Sequence, residues 1–453
     1  MNQSNINFKK AKVLSIASGC IITIFTVFIF SAWATKKSMT KTGSAESIVD
    51  IIMTITASLP SHISGVVKML GHFSPPKGVN DIYCDVKPVA SKSDQLNGFL
   101  LTPFINERGE NIVSLHNVST LTVHYLYTNS VDYKTKITDE LFGSNEYRQL
   151  PISSRRRITS PVLSEKGTLT YIIQYNDMVS IDLLNHREIW RVKGAFHHSL
   201  EKDYDGSVWA CASIMSVESI NTNAKNHKYR SFEDNSIVKV SNKGLIEKSL
   251  KLSQLISRSG LEYLQYGLSD SNHKDDPYHL NQVTPLTGDI GLLRKGRVLV
   301  SLRNISTIAL IDVETEKIIW HKTGPWMKQH SVIPFDESSV VVLDNHSSGY
   351  GDYWINPDWQ TRVMRYNINS DSLVELNFQT KSLPHLKIPI GGRIQKIGQN
   401  KWMLEHCLQG TVFLFDNDEL VFKWSNNYSR DTVGVSSWCK FVTESEFSTF
   451  KFN

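Results

Sequence analysis

The chain has 453 residues, 40% of them hydrophobic and 21% charged, with a formal net charge of +5. That length supplies one large or two ordinary domains with a full apolar core. The charge is small for the length and no long Lys/Arg run stands out beyond the N-terminus, which argues against nucleic acid as a partner.

In chain order, the first element is the uncharged stretch from Val13 to Ala34. At about 22 residues it is long enough to cross a bilayer as a helix. Lys9, Lys10 and Lys12 precede it and favour a cytoplasmic N-terminus, although Lys36, Lys37 and Lys41 follow. The expectation is an uncleaved membrane anchor over 1–34, with the rest of the chain in a periplasm or other extracytoplasmic space. The competing reading is a signal peptide cut after Ala32-Trp33-Ala34, which would give a secreted product. Residues 35–94 read as a stalk, partly helical from Ser47 to Leu70, interrupted at Pro60 and ended by Pro75-Pro76-Lys77-Gly78. In such a compartment Cys84, Cys211, Cys407 and Cys439 are candidates for one or two disulfides. No C-x-x-C occurs, which argues against a structural zinc site.

Residues 95–453 read as all-β. Ser114-Leu-His-Asn-Val-Ser-Thr-Leu-Thr-Val123 is nearly repeated as Ser301-Leu-Arg-Asn-Ile-Ser-Thr-Ile-Ala-Leu310, with weaker copies at 172–176 and 341–345. A second phrase, an apolar strand, a turn and a strand ending in Trp, closes at Trp190, Trp320 and Trp424. Repeated four-strand units of this kind predict a six-bladed β-propeller. The units span about 96–130, 157–193, 196–253, 279–325, 329–378 and 391–427, and the tail adds a closing strand to the first. Loops are expected at 213–233, 254–278 and 346–360.

His198, His279 and His330 each open a first strand of such a unit. First strands line the channel of a propeller, so three imidazoles repeated at one register should meet there. Gln395 holds roughly the same place in the sixth unit. Arg303 ends a second strand, where His116, Tyr175 and Asp344 are its equivalents by repeat. A buried Arg needs an anion or a carboxylate, and an ion pair with Asp344 is the structural alternative. His197, His273, His321, His346 and His406 lack the shared register. A metal is disfavoured because no carboxylate shares the register and Arg303 would repel a cation. A sulfate or phosphate group suits a His/Arg pocket.

The phrases VLVSLRNISTIALIDVETEKIIW, GPWMKQHSVIPFDESSVVVLDN and TRVMRYNINSDSL resemble the bacterial arylsulfotransferases of the PAPS-independent type. The resemblance extends over about 96–427 and implies a six-bladed propeller. It implies that His330 carries the sulfuryl group, and that Arg303, His279 (in His279-Leu280-Asn281) and His198 complete the catalytic set. Ser199 stands where the family has Asp after the second histidine, and Tyr278 where it has Trp. The implied reaction moves a sulfuryl group from an aryl sulfate donor to a phenol or other hydroxyl acceptor by a ping-pong route, with no cofactor and no PAPS. The residues alone leave two other classes open: a propeller that binds an anionic glycan or phenolic ligand without turnover, and a protein-interaction scaffold.

Overall fold

The computed structural model describes residues 96–106, 110–129, 157–164, 167–218, 230–264, 276–289, 291–347, 360–378, 383, 386–429 and 432–448. The expected anchor over 1–34 and stalk over 35–94 lie outside these residues. Among the described residues no helix is long and apolar enough to cross a membrane.

The fold is all-β and propeller-like, a succession of antiparallel sheets. The first holds β1 (Gly98–Ile105), β2 (Asn111–Asn117) and β3 (Val123–Asn129). Seven strands form the second: β4 (Ile158–Ser164), β5 (Thr168–Ile173), β6 (Asn176–Asp182), β7 (Glu188–Lys202), β8 (Val208–Glu218), β9 (Arg230–Val240) and β10 (Ile246–Lys251). The helix α1 (Leu252–Arg258) follows. Three four-stranded meanders come next. One is β11 (Leu280–Pro285), β12 (Arg297–Leu302), β13 (Thr307–Asp312) and β14 (Lys317–Thr323). The next is β15 (Ser331–Pro334), β16 (Ser339–Asp344), β17 (Arg362–Asn367) and β18 (Ser372–Glu375). The last is β19 (Arg393–Gly398), β20 (Lys401–His406), β21 (Thr411–Asp416) and β22 (Glu419–Ser425). After the short pair β23 (Asn427–Ser429) and β24 (Thr432–Val433), β25 (Lys440–Thr443) returns to pair with β1, Leu100 opposite Phe441. The tail therefore supplies the expected closing strand and covers an edge that would otherwise be open.

Why these segments are strands is visible in their burial. Several second and third strands are near-continuous apolar runs buried on both faces: SVVVLD in β16 and TVFLFD in β21 are buried throughout. Fourth strands such as β14 expose alternate residues. Only a strand covered from both sides requires an unbroken apolar run, so consecutive sheets must stack face to face. The apolar layers do follow one another round the chain. Leu302, Val300 and Ile311 pack with Ile237 and Trp209. Val332 and Val342 pack with Leu299 and Leu310, and Leu343 packs with Leu404 and Phe413. The last layer, Met403, Val412 and Leu414, packs on Leu100 and Phe441, which returns the series to the first sheet.

Side chains also sew neighbouring first strands together. Val283 N donates to Ser199 Oγ at 2.9 Å, Val332 N to Gln282 Oε1 at 3.1 Å and Ile394 N to Ser331 Oγ at 3.3 Å. Phe441 N donates to Gln395 Oε1 at 3.0 Å. Gln395 is thus a seam residue between β19 and β25 and not the counterpart of the histidines. The register explains this: Arg393 lies opposite Glu405 at the end of β20, so the position matching His330 falls at Gly392. Gly391 and Gly392 have φ of +73° and +98°, and a Cβ at Gly392 would lie 2.9 Å from Leu343 Cδ2. A histidine has no room there.

The repeated phrases occupy equivalent places. Residues 114–123 and 301–310 each run from the end of a second strand through a turn into a third strand, β2 to β3 and β12 to β13. Other expectations are corrected. Residues 213–218 and 230–233 are not loop but paired ladder, with Ser213 opposite Asn235 and Glu218 opposite Arg230, because β8 and β9 continue past the sheet body. The expected 254–278 loop starts inside α1, whose Leu252, Leu255 and Ile256 are buried. The 346–360 loop lies outside the described residues from 348 to 359. Cys211, Cys407 and Cys439 are free and buried, with Cys407 and Cys439 both near Glu405, and Cys84 lies outside the described residues.

Asp344 does not pair with Arg303. It is fully buried, accepts from Arg362 Nε at 2.9 Å, and accepts the Met327 and His346 amides at 2.8 Å each. Asp344→Ala should leave a cation and two amides without their acceptor and cost about 3 kcal/mol, as for a buried pair broken on one side. Thermal unfolding should show a clearly lowered midpoint.

Candidate active site

His198 sits where β7 changes partners. Residues up to Phe196 pair with β6, residues from Phe196 onward pair with β8, and a bulge lies between His197 and Leu200. His198 has φ of 54° and His279, immediately before β11, has φ of 51°. Left-handed backbone is costly for a residue with a Cβ and is held only when surrounding bonds over-determine it. The holding bonds are present. Ser160 Oγ donates to the His198 carbonyl, Arg303 N donates to the His279 carbonyl at 3.0 Å, and Leu280 N donates to Asn235 Oδ1 at 2.7 Å. In the segment before β15 the left-handed residue is Lys328, not His330. The three histidines therefore share a place along the channel without sharing one backbone state.

The side chains converge as expected. The His198 ring centroid is 5.1 Å from that of His279 and 6.3 Å from that of His330. Arg303 is buried, donates from Nη1 to Asn304 Oδ1 at 2.8 Å, and its charge acts on His330. Tyr175 and Trp438 border the cluster, 6.3 Å and 5.4 Å from His198.

Each imidazole has a partner on Nδ1. For His330 it is Asn345 Oδ1, at 2.8 Å. The Asn345 amide nitrogen donates to the Ile388 and Gly391 carbonyls at 2.8 and 2.9 Å, which fixes the amide with oxygen toward the ring. The His330 Nδ1 must therefore carry the proton, and Nε2 keeps a bare lone pair. For His279 the partner is the Asp276 carboxylate, which meets Nδ1 and also accepts the His279 amide at 3.1 Å. A carboxylate there orients the ring and compensates positive charge on it. For His198 the partner is His197, Nδ1 to Nδ1 at 2.6 Å.

The neighbouring motif residues are fasteners. Asn281 Nδ2 donates to the Gln329 carbonyl at 2.8 Å, and Gln329 Nε2 donates to the Thr307 carbonyl at 2.9 Å. The segment that presents His330 is thus pinned to both β11 and β13.

Burial lowers the pKa of His330 well below the ordinary 6.5, with the Arg303 charge as the next cause. His198 is also held well below that value, by burial first and then by His197, His279, His330 and Arg157. A depressed imidazole pKa extends the neutral form to lower pH. The rate of any reaction that uses His330 as a nucleophile should therefore stay level through pH 6.5 and fall only at more acidic pH. A kcat/KM profile for the first half-reaction measures this.

Asp276, Asn345 and His197 were not singled out from the sequence. Asp276 stands three residues before His279 and Asn345 closes the SVVVLDN phrase, so spacing was the available signal. His197 had only its adjacency to His198. Ser199, the departure after His198, turns out to be a seam: its hydroxyl accepts Val283 N and lies 3.3 Å from Cys211 Sγ. Further along the same strand, Glu201 binds Arg393 of β19 at 3.0 Å and Lys440 of β25 at 3.2 Å, tying β7 to both.

Three imidazoles set on or just before first strands thus meet a buried guanidinium from the end of a second strand, a set whose donors and positive charge suit a tetrahedral oxyanion. The chain belongs to the arylsulfotransferase family: the sequence model described as Arylsulfotransferase (ASST) matches residues 163–427. No curated protein gives a significant match.

Proposed function

We propose that the protein is a six-bladed propeller enzyme that transfers a sulfuryl group from an aryl sulfate ester to a phenol or other hydroxyl acceptor, through a sulfohistidine on His330 and without PAPS. The blade count is supported by dividing the seven-stranded sheet at Phe196, which yields two four-stranded blades sharing β7. The observation that carries the activity is the bond from His330 Nδ1 to Asn345, which leaves Nε2 of a buried, neutral ring able to attack.

In the first half-reaction the Nε2 lone pair forms a bond to sulfur, and the sulfur–oxygen bond to the aryl group breaks. The departing oxygen keeps that electron pair and takes a proton from His279, whose imidazolium is compensated by Asp276. Arg303 neutralises charge on the sulfuryl oxygens through its planar fork of donors. In the second half-reaction the acceptor oxygen bonds to sulfur, its proton passes to His279, and the N–S electron pair returns to Nε2. His198 borders both partners of this exchange. The membrane anchor and periplasmic location read from residues 1–34 complete the proposal, since an extracytoplasmic enzyme would draw on aryl sulfates rather than on a cytoplasmic nucleotide.

The test is the mass of the intact protein after mixing with an aryl sulfate alone. A gain of about 80 Da on His330, the mass of SO₃, is expected for covalent catalysis of this kind. Stoichiometric binding of the donor with neither adduct nor phenol release would replace the enzyme with a binding propeller.

A further inference from the structure

His197 and His198 meet Nδ1 to Nδ1 at 2.6 Å, with ring planes at 85°. Two N–H groups cannot face each other at that distance, so the two nitrogens share one proton. One ring donates and the other accepts. Nδ1 of His198 is thereby used up, and Nε2 is its only nitrogen left to meet a substrate. We propose that His197 is a positioning residue for the transfer reaction, holding the His198 ring and reserving its Nε2 for the sulfuryl group or the acceptor hydroxyl. This inference rests on the activity proposed above.

The surroundings make His197 suited to that task. It is 2% exposed and stacks on Tyr175, with ring centroids 5.5 Å apart, so it cannot swing away. Burial and then the charge of His279 hold its pKa near 3, so it offers a neutral partner at working pH. The charged and titratable groups around His198 are His197 from β7, His279 before β11, His330 before β15, Arg157 before β4 and Tyr175 after β5. None of these groups is a carboxylate. Because only one proton fits between the two Nδ1 atoms, the pair can gain one positive charge and no more. His198 is therefore set differently from His279, which has a carboxylate on its Nδ1. Environments that push two like groups apart are how one site assigns different proton duties. The residue that follows, Ser199, has no part in this, since its hydroxyl is engaged by Val283 N.

The test uses the wild-type protein and three variants, His197→Phe, His197→Asn and His197→Asp, assayed for transfer from an aryl sulfate to phenol. His197→Phe should lose about 10²-fold in kcat with little change in KM, the penalty of a catalytic group held out of place. His197→Asn puts an amide where Nδ1 was, able to donate or accept, and should recover most of that loss. His197→Asp puts a carboxylate against His198 and should move the acidic limb of the kcat profile to higher pH. A His197→Phe protein with wild-type kcat and pH profile overturns the inference. So does a His197→Asn protein that melts like wild type but is as slow as His197→Phe, or a His197→Asp profile that superimposes on wild type. Should His197→Phe fail to fold, the other two variants decide. Absence of turnover and of the His330 adduct in the wild type would instead remove the proposed activity.

Discussion

His330→Ala protein is expected to show no sulfuryl transfer above background, no release of phenol on mixing with donor, and no mass gain. The reason is geometric. In ping-pong transfer the group must rest on the protein between two substrates, and that requires a neutral nitrogen with its lone pair toward sulfur. His330 alone among the three channel histidines has its Nδ1 proton fixed by an amide that is itself fixed, Asn345, bound to Ile388 and Gly391. His279 and His198 have Nδ1 partners suited to handling protons. Half-reactions measured separately, by stopped-flow release of phenol and by mass, check the result. A His330→Ala protein that still turns over at the wild-type rate would show that the sulfuryl group passes directly from donor to acceptor, or rests elsewhere.

Asp276→Asn is expected to lower kcat by about 10³–10⁴-fold, the scale seen when a carboxylate behind a catalytic imidazole is neutralised and the tautomer is lost. The substitution keeps size and shape, and the amide oxygen can still accept the His279 backbone N–H now held at 3.1 Å. What changes is the group against Nδ1: an amide NH₂ forces the ring into the opposite tautomer, and no negative charge remains to compensate an imidazolium. The loss should be greatest for poor leaving groups such as unsubstituted phenol, and smallest for a nitrophenol that departs without a proton. Equal loss with every leaving group would assign Asp276 a purely structural role.

How much of this was legible beforehand differs by level. The β class, the strand-turn-strand repeats at 114–123 and 301–310, the closing tail and the convergence of His198, His279, Arg303 and His330 could be read from periodicity and spacing. Buried strands need runs of branched apolar residues, and turns between them need polar residues, so both leave a local trace. The partners on Nδ1 left little trace. Asn345 and Asp276 are ordinary turn and loop residues by composition, and their role depends on which ring they happen to face. Gln395 lies three residues beyond the place equivalent to His330, which the strand register gives to Gly392. The alternative of an Arg303–Asp344 ion pair fails because Arg362, directly opposite Asp344 on the adjacent strand β17, takes that carboxylate, and the repeat alone does not reveal it.

The sequence by itself determined the succession of strands, because hydrophobic period, turn residues and repeat spacing are local quantities, and its motif phrases pointed to the family and to the four side chains proposed to carry the chemistry. Only the tertiary structure decided the fusion of two meanders through β7, the tautomer of His330, the Asp276–His279 pair and the His197–His198 contact. Those depend on distances of about 3 Å between residues on different elements, where a hydrogen bond either forms or does not.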